Sequence, residues 1–130
     1  MGDRVKTATR EKGRQAEDIA ADFLESSGYR IVERNFTCRI GEIDIIAREN
    51  EELVFVEVRS RSSQRTVNPA YSVNRTKQHK IARVAQYYLA TRCRDTPPSR
   101  FDVVIVNMGP TPDVYLIADA FQVEPGQFGY

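Results

Sequence analysis

The chain has 130 residues, 41% hydrophobic and 28% charged, with 7 Gly and 6 Pro, which is enough for one hydrophobic core, too short for two and too apolar for a disordered linker. No apolar run approaches the roughly 18 residues of a membrane span, the polar N-terminus is not a secretory signal, and Cys38 and Cys93 lack CxxC spacing; a cytoplasmic, single-domain protein with free thiols is expected. The net charge of +1 is unevenly spread: residues 59–94 carry nine bases (Arg59, Arg61, Arg65, Arg75, Lys77, Lys80, Arg83, Arg92 and Arg94) and no acid, and the rest nets −8. Such segregation gives the fold one basic side of the kind that meets a polyanion, the plainer alternative being a solvated face.

Residues 1–10 read as a flexible basic arm, 11–122 as the domain and 123–130 as a C-terminal tail. Over 11–27, Ala16, Ile19, Ala20, Phe23 and Leu24 recur at helical spacing, and Gly28 supplies the stop. Residues 29–36 alternate as a strand. Next, Ile43, Ile45 and Ala47 alternate with Glu42, Asp44 and Ile46, and Val54, Val56 and Val58 alternate with Phe55, Glu57 and Arg59. Two period-2 runs around a polar turn predict a β-hairpin. Residues 62–73 form a loop long enough to be functional or disordered. A second helix spans 74–91, with Ile81, Val84, Ala85, Tyr88 and Leu89 inward. Strands at 101–107 and 114–120 follow. The order α-β-β-β-α-β-β predicts an α/β fold: a mixed β-sheet flanked by helices, its third and fourth strands parallel across a helical crossover.

The hairpin has geometric consequences. With a two- or four-residue turn, paired positions sum to 101, so Asp44 faces Glu57 and Glu42 faces Arg59. Ile43–Val58, Ile45–Val56 and Ala47–Val54 then share one apolar face. Carboxylates directly opposite are roughly 5 Å apart at Cβ and repel. A shared proton, the Arg59 guanidinium or a divalent cation would compensate. An all-oxygen site with open positions suits Mg²⁺ or Mn²⁺ rather than zinc, and Glu17, at the edge of the first helix's apolar stripe, is placed to add a third oxygen. The competing reading is a Glu42–Arg59 ion pair on a wet sheet face. Ile46, Leu53 and Phe55 among those positions point instead to partial burial, where unpaired carboxylates are costly; spacing leaves both readings open.

These residues carry a resemblance. Gly13…Glu17…Ala20…Leu24…Gly28-Tyr29, Arg34-Asn35-Phe36, Gly41-Glu42-Ile43-Asp44-Ile45-Ile46-Ala47, Val54-Phe55-Val56-Glu57-Val58-Arg59-x-Arg61 and Lys77…Lys80-Ile81…Ala85…Tyr88-Leu89 resemble the YraN-like family of small bacterial proteins, over about residues 11–120. That family looks like a member of the restriction-endonuclease-like (PD-(D/E)xK) superfamily and is similar in pattern to archaeal Holliday-junction resolvases. The resemblance implies a nuclease core in which Asp44 and Glu57 are metal-binding acids, Glu17 a further ligand, and Arg59 stands where the motif has lysine. A second, minor departure is Ala16, where the family usually has glycine. A buried lysine can shed its proton, whereas a guanidinium keeps it, so Arg59 would hold phosphate rather than act as a base. The resemblance also implies a homodimer, since junction-resolving relatives tend to be dimers.

The leading expectation is therefore a Mg²⁺- or Mn²⁺-dependent endonuclease acting on DNA, including branched DNA. Asp44, Glu57, Arg59 and Glu17 would form its site, and Arg61, Arg65, Arg75, Lys77, Lys80 and Arg83 would track the backbone. One alternative is a non-catalytic nucleic-acid-binding module that keeps the nuclease fold, which Arg59 favours; another is a domain whose basic face meets an acidic protein. His79, the only histidine, is expected to face solvent or DNA, Tyr87 and Tyr88 to pack in the core or its rim, and no glycine-rich nucleotide loop is present.

Overall fold

The structure, a computed structural model, describes residues 2–61 and 73–123. Its elements follow the expected order: α1 (Gly2–Ser26), β1 (Arg30–Thr37), β2 (Glu42–Glu49), β3 (Glu52–Arg61), α2 (Arg75–Arg92), β4 (Ser99–Asn107) and β5 (Asp113–Phe121). Helix α1 begins well before the expected boundary. The backbone of residues 2–10, read above as an arm, is helical; that stretch has no proline, and its Arg, Lys and Ala are good helix formers. The helix ends where Gly28 was expected to stop it. Gly28 takes φ +95°, its N–H donates to the Glu25 carbonyl and the Tyr29 N–H donates to the Leu24 carbonyl, a pairing of C-terminal carbonyls that a left-handed residue makes possible. The loop at 62–72, Arg65 within it, and the tail beyond Val123 lie outside the described residues.

The strands form one sheet in the order β1-β2-β3-β4-β5. All neighbours are antiparallel except β3 and β4, which run parallel because the chain crosses over through α2. The hairpin register is the expected one: Ile45 pairs with Val56, Ala47 with Val54 and Glu49 with Glu52. The connection is a two-residue turn led by Asn50 at φ 54°, a conformation asparagine tolerates better than most residues.

Both sheet faces are covered. Ala16, Ala20 and Leu24 of α1 pack on Ile45, Ala47, Val54, Val56, Val104 and Val106, while Ile81, Val84, Ala85 and Tyr88 of α2 pack on Ile46, Leu53, Phe55, Val103 and Ile105. Small residues at 16 and 20 let α1 lie close to the strands. Full burial of Phe55, Leu53 and Ile46 contributes about 1.5–3 kcal/mol each. One expected placement is corrected. Ile43 does not share the face of Ile45 and Ala47 but joins the α2-side core with Ile46. The β2–β3 ladder ends at Ile45–Val56, and beyond it the strict alternation of β2 no longer holds.

A polar lock ties distant segments together on the α1 side. Asp102, fully buried on β4, accepts hydrogen bonds from the Tyr29 hydroxyl (2.9 Å), the Asp119 N–H (2.9 Å) and Arg100 (3.0 Å). Arg100 also reaches Glu49 (2.8 Å) and Glu52 (3.0 Å) at the hairpin tip. The Asp119 contact lies at the β4–β5 register shift, where Asp119 adopts φ 50°.

Candidate functional site

Two carboxylates occupy the place where β2 and β3 part. Asp44 accepts the Val58 N–H at 2.8 Å, so its side chain takes a backbone donor of the neighbouring strand. Glu57, its side chain 8% exposed, alternates with Leu53 and Phe55 and therefore stands on the α2 side of β3. Burial above all, then the Glu57 charge and the more distant Glu17, push the Asp44 carboxyl from 3.8 up to about 8; a hydrogen bond with Glu57 acts in the same direction, and only the Val58 N–H opposes them. This is the behaviour of two acids forced to share one place.

Each helix brings a further charge. From the first turn of α2, Lys77 Nζ lies 2.6 Å from Glu57 Oε1. Arg59 Nη1 is 4.0 Å from the same oxygen, beyond hydrogen-bond distance. From α1, Glu17 is met by the Asn35 amide, whose nitrogen, oriented to donate, is 3.1 Å from Oε2 and 3.2 Å from Oε1. Asn35 holds φ 56°, an uncommon conformation for a side chain other than glycine. Arg34 lies 4.0 Å from Glu17 and pairs more closely, at 2.7 Å, with Asp18. Burial raises the Glu17 pKa against the pull of Asn35 and Arg34, with Glu42 and Asp18 adding to the rise. Arg14, Glu17, Asp18, Arg34, Asn35 and Glu42 line an open cleft of about 690 Å³ along this side.

The structure thus brings Asp44 and Glu57 together as expected, with Glu17 near enough for Asp44 to feel its charge. It does not draw the three into one group: among the described residues, no three His, Cys, Asp or Glu side chains converge closely enough to hold a metal ion. Nor does Glu42 pair with Arg59, because the ladder that would bring them face to face has ended and Glu42 is exposed; Arg59 is instead nearest Glu57. Arg75, Lys80 and Arg83 are exposed on α2, and Arg61 is half-buried at the end of β3. His79 is half-buried, Tyr88 is core, Tyr87 is exposed beside Phe36, and both cysteines are free. Two contacts escaped the sequence reading. Lys77 is expected only as one of the bases that track a nucleic-acid backbone, and Asn35 enters only as part of the Arg34-Asn35-Phe36 motif, with no role attached.

The donor set fits a hard divalent cation. Mg²⁺ takes one or two protein carboxylates and leaves its other positions to water and phosphate oxygens, which is what Asp44 and Glu57 offer. The fit is to a two-carboxylate site, with Glu17 as a neighbour rather than a third ligand in this arrangement. No helix among the described residues is long and apolar enough to cross a membrane.

Residues 16–106 match the model of uncharacterised protein family UPF0102. A UPF0102 protein of Syntrophus aciditrophicus (strain SB) is 45% identical over 116 residues, covering 88% of this chain and 91% of that protein. Another, from Symbiobacterium thermophilum, is 48% identical over 102 residues (78% and 86%), and one from Moorella thermoacetica is 50% identical over 97 residues (75% and 81%). Among solved structures, Pyrococcus furiosus SfsA in complex with Ca²⁺ is similar at a TM-score of 0.34 and 15% identity, covering 85% of this chain and 63% of that one. By the length of the family match and the identity to these relatives, the chain belongs to the uncharacterised protein family UPF0102, the YraN-like family that its motifs resemble.

Proposed function

We infer that this protein binds nucleic acid and hydrolyses DNA phosphodiester bonds with a divalent cation held by Asp44 and Glu57, as a member of the restriction-endonuclease-like superfamily. The observation that carries the reading is the carboxylate pair itself. A half-buried acid and a buried one stand side by side at a break in the sheet, the first with its pKa raised to about 8, next to a helix whose exposed bases include Arg75, Lys80 and Arg83. A buried like-charge pair weakens a fold that has no use for it. Mg²⁺ or Mn²⁺ at this pair would supply Lewis acidity toward a phosphate oxygen and toward water. The chain's own residues do the rest: Asp44 is aimed by the Val58 N–H, Glu17 is held beside the pair by Asn35, and the α2 bases with Arg61 and Arg65 follow the backbone.

The test uses purified protein with linear, single-stranded and four-way-junction DNA in Mg²⁺, Mn²⁺ or EDTA, alongside D44A and E57A. Cleavage that needs metal and is lost in both variants is the expected result. Binding without cleavage under every condition would leave the non-catalytic module, which Arg59 at the motif lysine position favours. Failure to bind any nucleic acid at low salt would remove both readings.

A further inference from the structure

We propose that the Lys77 ammonium, reaching into the site from α2, is the protein cation that contacts the phosphodiester held at the Asp44–Glu57 pair, and that Arg59 is not. The inference rests on the nuclease reading above and deepens it. Its ground is position. Lys77 Nζ is 2.6 Å from Glu57 Oε1, while Arg59 Nη1 is 4.0 Å away. An ammonium has three donors, and Glu57 Oε1 accepts one. The Lys77 side chain is 42% exposed while Glu57 is 8% exposed; the lysine bridges solvent and the buried acid, so an incoming phosphate can meet the same ammonium.

The helix start fixes this reach. Asn74 caps α2 by accepting the Lys77 N–H at 2.8 Å, and Gln78 Nε2 donates to the carbonyl of buried Val73 at 2.9 Å. Lys77 therefore springs from an anchored backbone. The placement also runs against local preference: a cation in the first turn opposes the helix dipole, and that turn contains no acid to offset it. Local rules broken in this way cluster at functional sites. One turn further on, the Lys80 side chain lies over Gly41, where an added Cβ would come within 2.9 Å of Lys80 Cε. The two lysines, three residues apart, line one edge of the helix and extend positive charge from the carboxylate pair toward the β1–β2 turn.

The test compares K77M, K77Q, K77R and R59M in the full chain, measuring kcat and KM for DNA cleavage in Mg²⁺, the salt dependence of DNA binding, and Tm. Loss of a donor aimed at a developing phosphate charge lowers kcat by about 10²-fold. That drop is expected in K77M and K77Q and is larger than any loss in R59M, with K77R recovering most of it. K77Q can still donate to Glu57, so a purely structural role predicts near-normal kcat there; it also keeps the test if K77M fails to fold. A wild type that cleaves and depends on Asp44 and Glu57, combined with K77Q within threefold of it, would overturn the Lys77 assignment and leave the nuclease reading standing. Should wild type bind DNA without cleaving it, catalysis is lost as a reading and Lys77 is judged by binding. A salt slope lowered by about one in K77M then supports the phosphate contact, and an unchanged slope overturns it. Absence of binding by wild type overturns both.

Discussion

Replacing Asp44 by asparagine should make the protein more stable at alkaline pH. Its carboxyl is raised from 3.8 to about 8, first by burial and next by Glu57. The folded state therefore binds a proton that the unfolded chain releases near pH 4, and wild-type stability falls as pH rises from about 4 through about 8, then levels off. At about 1.36 kcal/mol per pH unit the full displacement is worth ~6 kcal/mol. Local relaxation and the Lys77 charge beside Glu57 reduce the expected loss to about 2–4 kcal/mol, or roughly 10 °C in Tm for a domain of this size. Thermal denaturation in EDTA from pH 5 to 9, followed by circular dichroism, measures it. The wild-type and D44N curves should diverge across this window, D44N being flatter and the more stable of the two at pH 9. Mg²⁺ should raise the wild-type Tm more at pH 8 than at pH 5, since it binds the ionised pair, and should raise that of D44N less. Parallel wild-type and D44N curves would refute the account of a strained acid pair.

Other consequences concern the supporting structure. Removing Asp102 leaves the Tyr29 hydroxyl and the Asp119 N–H without their buried acceptor, so D102A should cost about 3–5 kcal/mol in urea unfolding. Burial first, then the Asp102 hydrogen bond and charge, pushes the Tyr29 phenol from 10.0 to about 12; ultraviolet titration of D102N should move it back toward 10. At Asn35 the left-handed backbone favours glycine over alanine, so N35A should be about 1 kcal/mol less stable than N35G. Both lose the donor to Glu17, and an NMR titration should find the Glu17 pKa higher in each than in wild type.

Much of the fold was legible because its rules are local. Alternation plus a polar turn specifies a hairpin register, and Ile45–Val56 and Ala47–Val54 pair as the turn arithmetic requires; Gly28 ends α1 by its own backbone freedom. Continued by one pair, the same arithmetic sets Asp44 beside Glu57; the ladder itself stops at Ile45–Val56, and the two acids meet just beyond its end. Local rules failed where contacts depend on docking. Ile43 changed faces because β2 leaves β3 at Asp44, and no period reveals where a ladder stops. Tyr29 and Asp102 are 73 residues apart, and their bond follows from α1 packing across the sheet. In the sequence Lys77 is one of the bases expected to track a nucleic-acid backbone. Only the docking of α2 on the sheet brings its ammonium to 2.6 Å from Glu57, because a helix's own periodicity says which residues share a side and not what that side will meet.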